Sequence, residues 1–221
     1  MAKEKRFYVC QECGYKTVNW MGKCSSCGAW NSFEEKIENN DKIKAKKYII
    51  REEKNPQPIT KINSTAKQRL KTNIEELDRV LGGGVVSGSL ILLGGAPGIG
   101  KSTLILQVAS LFSQKHGKTL YMSGEESAQQ IKMRAERLNC LNEKLNIFDE
   151  RDYLILEEHI SNNQDYSLIV VDSIQTVHIP ELDAAPGNLT QIKKVTNRLL
   201  KLAKTTSIPI VLIDMLLKKV N

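Results

Sequence analysis

Three groups of side chains carry the chemistry that this sequence can perform. The first is Gly95-Ala96-Pro97-Gly98-Ile99-Gly100-Lys101-Ser102, followed by Thr103, which matches G-x-x-x-x-G-K-[ST]. Glycines at those spacings let successive backbone N–H groups turn inward on phosphate oxygens at a helix N-terminus. A lysine there reaches the outer phosphates of a nucleotide, and the hydroxyl after it ligates Mg2+. Lys101 and Ser102 are therefore the expected phosphate and magnesium contacts.

A phosphate loop needs acids nearby. "DYSLIVVDSIQT" supplies an apolar run, Leu168 to Val171, that ends on Asp172, a second candidate magnesium ligand. "KTLYMSGEES" supplies another, Thr119 to Met122, followed by Glu125 and Glu126. A carboxylate at that strand end can orient an attacking water and take its proton. Glu125 is the favoured general base because it stands nearer the strand, with Glu126 as the acid opening the next helix.

The third group is "CQECGYKTVNWMGKCSSC". It places Cys10, Cys13, Cys24 and Cys27 as C-x2-C-x10-C-x2-C, two pairs that tight turns can aim at one tetrahedral zinc ion. Gly14 and Gly28 follow the pairs, where such turns favour positive φ. A pair of disulfides is the competing arrangement, disfavoured at this spacing in a reducing compartment. Four thiolates would close the coordination sphere, so the expected role of the metal is structural. Cys140 stands alone and reads as a small buried hydrophobe. His116, His159 and His178 fit no ligand or triad spacing.

The elements that must hold these groups follow from composition and pattern. Residues 1–33 carry four of the cysteines and both tryptophans and read as a small metal-bound module. Residues 34–62 are charged, with two prolines and no periodicity, and read as a linker. Residues 63–221 alternate apolar strand-like runs with helical patterns, as expected of an α/β core around a parallel sheet. No apolar run approaches the roughly 18 residues of a membrane span, and "MAKEKRFYVC" lacks a signal-peptide core, so a cytoplasmic protein is expected. The formal charge of +7 suits a polyanionic partner, with the "KIKAKKYIIR" segment as its most basic stretch.

Taken together, the four-cysteine finger with its trailing "GAWNSFEE", "NIEELDRVLGGGVVSGSLILLGGAPGIGKSTLILQ", "LYMSGEES", "IKMRAERL", "LIVVDSIQT" and "APGNLTQIKKVTNRLLKLAK" resemble the N-terminal half of the RadA (Sms) family, RecA-like ATPases of bacterial DNA repair. Asn73 and Ala96 stand where that family more often has Gly and Asp, and Ser87 where it often has Pro. The resemblance implies a RecA-like P-loop core and a DNA-stimulated ATPase that processes branched recombination intermediates. It also implies ATP, Mg2+ and Zn2+ as cofactors, single-stranded or branched DNA and RecA recombinase as partners, and a homo-hexamer for full-length relatives. It places Gly95 to Thr103 on ATP, Lys101 and Glu125 in the chemistry, and Ser102 and Asp172 on magnesium. Arg134 and Gln175 lie in family motifs, and Gln175, just past the metal strand, is expected to sense the γ-phosphate or relay to DNA. The competing view is a non-hydrolysing interaction module in which the finger and linker dominate and the ATPase half is inert.

The final stretch, "IPIVLIDMLLKKVN", begins as a buried strand. In the RecA-like arrangement it inserts between the metal strand and the phosphate-loop strand. The family continues past this strand with a sequence like Gly-His-Val-Thr-Lys-Glu-Gly. Loss of one base from such a coding sequence yields Asp214 to Val220, so a frame change in the gene or its record is expected, with a genuine short C-terminal helix as the competing reading. With the family's Lys-Asn-Arg-Phe-Gly motif and Lon-protease-like domain then missing, weak ATP binding and little turnover are expected of the chain as it stands.

Overall fold

The computed structural model describes residues 5–38, 56, 58–61 and 69–215, in a chain that divides into two units, Met1–Ala66 and Lys67–Asn221. In the first unit, strands β1 (Lys5–Cys10), β2 (Lys16–Thr17) and β3 (Phe33–Glu38) form an antiparallel sheet in the order β2-β1-β3. Gly14 (φ 73°) and Gly28 (φ 77°) close two like turns, each amide donating to the carbonyl four residues back, Cys10 and Cys24, at 2.8 Å. Strand β3 carries ordered pairing into the segment expected to be linker from residue 34. Its partner is β1, in register from Lys5 opposite Glu38 to Cys10 opposite Phe33. That pairing satisfies backbone groups from far back in the sequence, which local composition does not reveal. The "KIKAKKYIIR" stretch lies outside the described residues.

The second unit opens with a small hairpin, β4 (Arg69–Leu70) and β5 (Val85–Val86), around helix α1 (Glu75–Val80). Asn73, in the position where the resemblance has Gly, sits at φ 64°, a left-handed conformation that glycine takes freely and asparagine tolerates. The core then runs β6 (Leu90–Gly95), α2 (Lys101–His116), β7 (Thr119–Ser123), α3 (Ala128–Arg137), β8 (Leu145–Asp149), α4 (Tyr153–Asn162), β9 (Leu168–Asp172), α5 (Leu189–Thr206) and β10 (Ile210–Met215). The five strands β6 to β10 are all parallel, in the order β6-β10-β9-β7-β8. Strand β10 is inserted between β6 and β9, as expected, and extends past the apolar run to pair Asp214 with Gly94 and Met215 with Gly95. Of the segment on which the frame-change expectation rests, only Asp214 and Met215 are described.

Both faces of this sheet are covered, which is why its strands are apolar runs instead of alternating ones. Leu120, Met122, Ile169, Val171, Ile210 and Leu212 pack with Leu156 and Ile160 of α4 and with Val195, Leu199 and Ala203 of α5. Tyr121, Leu168, Val170, Val211 and Ile213 face the other way, onto Ile105, Leu106, Ala109 and Phe112 of α2 and Ile131 of α3. Helix starts are set by side chains: Ser127 and Gln130 form a capping box on α3, Asp152 accepts from the Leu154 amide at 2.7 Å on α4, and Asn188 from the Thr190 amide at 2.8 Å on α5. Cys140 is buried in the second cluster, where burial pushes its thiol up, in keeping with the reading of it as a small hydrophobe. Phe112 has no exposed surface. Phe112→Ala should cost about 3–5 kcal/mol of stability in urea denaturation; a loss under about 1 kcal/mol would contradict this packing.

Candidate functional site

The phosphate-loop residues lie between the end of β6 and the start of α2. Gly98 (φ 76°) and Gly100 (φ 96°) adopt the left-handed region, and Gly100 caps α2, whose first amides have no partner within the helix. Lys101 is nearly buried, and its Nζ donates to the carbonyls of Gly95 at 2.9 Å and Ala96 at 2.8 Å. Two of its three donors thus fix the ammonium across the loop, and the third is left for an anion.

A cavity of about 260 Å3 opens beside the loop, lined by Pro97, Gly98, Gly100 to Thr103, Glu125, Arg134, Asp172, Ser173 and Ile213. It brings together Lys101, Ser102, Glu125 and Asp172. Gly95 and Ala96 contribute through the carbonyls that hold Lys101, whereas Ile99 projects into solvent. Gln175 is outside the lining, and its side-chain amide donates to the Asp214 carboxylate. The histidines are elsewhere: His116 meets the Lys71 carbonyl and His159 the Tyr166 hydroxyl, and His178 lies in an isolated bridge with Asp152.

The acids are placed by strand ends. Ser123 of β7 pairs with Asp172 of β9, and the Gly124 amide donates to the Asp172 carbonyl at 3.1 Å, so the two carboxyl ends finish at one level. A Cβ on Gly124 would stand 2.7 Å from the Thr176 Cβ, so only glycine lets the turn into Glu125 pass this close to β9. Glu125 then accepts from the Ser173 hydroxyl at 2.6 Å. Glu126 turns away to Arg134, whose Nη1 donates to it at 2.8 Å. The two neighbouring glutamates are therefore separated in role by geometry: Glu125 faces the cavity and Glu126 is held by an ion pair.

Sequence reasoning missed Ser173 and Tyr121. The Tyr121 hydroxyl donates to Asp172 Oδ2 at 2.6 Å, and burial, followed by the charge of Asp172, pushes its pKa far up, so it remains a donor. The available signal was a tyrosine hydroxyl at the centre of a buried strand, between apolar Leu120 and Met122, which needs a partner. Asp172 is itself buried, and with the Ser102 hydroxyl across the same cavity it could hold a divalent cation.

In the first unit the four sulfurs of Cys10, Cys13, Cys24 and Cys27 lie within 4.8 Å of one another. Cys10 to Cys27 and Cys13 to Cys24 are each 3.6 Å. A tetrahedral ion with bonds of about 2.3 Å to sulfur sets its ligands about 3.8 Å apart, so this cluster fits zinc. Those separations are far longer than a disulfide, and all four cysteines are free. At Cys10 burial opposes the thiolate, but the Ser32 hydroxyl and the Cys13 and Glu12 amides outweigh it and bring the thiol down to about 6. At Cys27 the Ala29 amide favours the thiolate, yet desolvation and the other sulfurs push the thiol up to about 12. Such a cluster sheds its first proton readily and resists losing its last without a cation to absorb the charge.

Residues 56–218 match the family described as AAA domain, and residues 8–35 match the rubredoxin metal binding domain. The chain is 44% identical to the DNA repair protein RadA of Bacillus subtilis over 222 aligned positions, 99% of this chain and 48% of that protein. The DNA repair protein RadA of Listeria monocytogenes is 42% identical over 99% of this chain and 48% of its own length. The chain belongs to the family of that AAA domain, and over its whole length it is similar to the RadA proteins. It spans about half the length of the curated relatives it matches. Among solved structures, an ATPase domain 16% identical to this chain superposes with a TM-score of 0.54, over 69% of this chain and 66% of that one, and shares its fold. The fold is thus a RecA-like P-loop core preceded by a four-cysteine zinc-binding module. Among the described residues no helix is long and apolar enough to cross a membrane.

Metal binding by this cluster displaces protons, so affinity should fall as pH drops. Metal analysis of the whole chain should give one zinc per chain at neutral pH. That zinc should be released on acidification, and Cys24→Ser should abolish it. Loss of zinc should unfold the first unit, which has only a three-stranded sheet of its own among the described residues. Absence of stoichiometric zinc at neutral pH would contradict the assignment.

Proposed function

We propose that the second unit is the ATP- and Mg2+-binding part of a DNA-stimulated ATPase that acts on recombination intermediates in DNA repair. The observation that carries this reading is the shared cavity lined by Lys101, Ser102, Glu125 and Asp172. Membership of an ATPase family with relatives named for DNA repair supports it.

The amides around Gly98 to Thr103 take the β- and γ-phosphates at the start of α2, and the remaining donor of Lys101 reaches the outer phosphates. Ser102 and Asp172 hold Mg2+, with the Tyr121 hydroxyl fixing the orientation of the Asp172 carboxylate. The ion, when bound, offsets charge developing on the transferred phosphoryl group. Glu125, steadied by Ser173, orients a water for in-line attack and accepts its proton. Gln175 is assigned to nucleotide sensing through Asp214 and not through direct phosphate contact, because its amide is engaged there. Single-stranded or branched DNA is the proposed polymer partner. RecA recombinase as a protein partner and a homo-hexamer for full-length relatives rest on family resemblance alone.

Titration of the chain with Mg·ATP separates binding from chemistry. Lys101→Ala should weaken binding at least about tenfold, the scale of losing a charge-assisted hydrogen bond. Glu125→Gln should bind as tightly as the native chain. In a full-length relative the matching Glu→Gln change should lower kcat by about 10²–10⁴ with single-stranded DNA present. Unchanged ATP binding by Lys101→Ala would contradict the nucleotide-site assignment, and unchanged turnover would remove Glu125 as the base.

A further inference from the structure

Arg134 lines the cavity yet is only partly engaged. It projects from α3 and is 12% exposed; Nη1 donates to Glu126. Its Nε and Nη2, which carry three of the five guanidinium N–H donors, are shut away from solvent and have no hydrogen-bond partner among the described residues. A buried cation with idle donors is a standing liability for the fold, and such groups in native structures call for an explanation. Glu126 does not provide it, because it is itself 39% exposed and occupies only the Nη1 side.

The idle edge has a definite chemistry. Nε and Nη2 direct N–H bonds the same way within the guanidinium plane and form the side-on fork that matches two oxygens of a phosphate or carboxylate. Within the cavity, the loop Gly98 to Thr103 makes one wall, and Glu125, Arg134, Asp172 and Ser173 belong to the side where β7 and β9 end. In a nucleotide seated by its β-phosphate on the loop amides, the group facing that second wall is the terminal phosphate. Arg134 also exerts its charge on the buried Tyr121 hydroxyl, which places it close to the residue that holds Asp172.

We propose that Arg134 is a γ-phosphate-binding residue supplied by the same chain. Its Nε–Nη2 edge takes two oxygens of the terminal phosphate, while Nη1 stays on Glu126. This rests on the nucleotide-site reading above and adds to it a cation that distinguishes triphosphate from diphosphate. The Glu126 ion pair holds the guanidinium beside the cavity, and its fork, closed off from solvent in this structure, turns to the terminal phosphate when nucleotide binds, which ties the state of that phosphate to helix α3. No bond is made or broken by Arg134; it neutralises charge and orients the phosphate beside Glu125.

The test is discrimination between two probes, Mg·ADP and Mg·ATP with a non-hydrolysable imido bridge, measured by calorimetry on the whole chain. Arg134→Met keeps an unbranched apolar stem and removes the fork. It should bind ADP within about twofold of the native chain and lose about ten- to hundredfold in affinity for the triphosphate analogue, the range for charge-assisted hydrogen bonds. Arg134→Lys should recover part of that loss, since one ammonium replaces a bidentate fork. Equal loss for both probes, or none for either, would overturn the proposal. Should Arg134→Met fail to bind ADP, Arg134→Lys is read in its place by the same criterion. Lys101→Ala is the control for the site: if it leaves both probes unaffected, the nucleotide-site assignment falls, whereas loss of both with no discrimination at Arg134 removes only this proposal.

Discussion

The chemistry of the ATPase core depends on parallel strands that end at one level. Hydrogen-bonded register sets Ser123 beside Asp172 and brings β10 up against the last residues of β6. A one-residue slip would exchange the side chains packed on α4 and α5 with those packed on α2 and α3, so the two differently shaped layers oppose it. Two packed layers of helix enforce the register from both sides. The carboxyl ends of β6, β7 and β9 therefore carry the phosphate-loop motif, the general-base candidate and the candidate metal acid into one cavity without any of the three touching in sequence.

Small residues refine what the sheet makes coarse. Gly124 allows β7 to hand over to α3 in contact with the turn after β9, so Glu125 meets Ser173 while Glu126 is pulled towards Arg134. The same economy appears at the loop, where the Gly95 and Ala96 carbonyls hold the ammonium of Lys101. Buried Tyr121 serves both the core and the site: its ring packs in the α2 cluster while its hydroxyl restrains Asp172. A polar group at that depth is tolerated because its hydrogen bond is made. The first unit is stabilised differently. Its sheet is short, and a zinc ion on its four converging sulfurs would supply the organising centre that a larger apolar core supplies elsewhere.

Much of this was legible in the sequence, for identifiable reasons. The phosphate loop and the cysteine pairs are contiguous motifs whose chemistry is fixed by local spacing. Asp172 and Glu125 were found because each follows an apolar run, and open parallel sheets bind ligands at strand ends. The central place of "IPIVLI" followed from the family arrangement. What stayed hidden depended on contacts across the fold. Ser173 reaches Glu125 from 48 positions away, and Tyr121 reaches Asp172 from 51. Strand β3 was concealed by its charge, because its order comes from pairing with β1. Gln175 looked like a cavity residue by proximity to Asp172 in sequence, but the chain turns between them and its amide meets Asp214.

The central claim is that the strand ends form one triphosphate and magnesium site. A crystal structure of the chain with Mg2+ and a non-hydrolysable ATP analogue tests it most directly. The phosphates should lie on the amides of Gly98 to Thr103, with Lys101 Nζ within hydrogen-bond distance of an outer phosphate oxygen and the ion between Ser102 and the Asp172 side of the cavity. A nucleotide bound elsewhere, or one in this cavity whose phosphates lie away from Lys101 and Asp172, would contradict it.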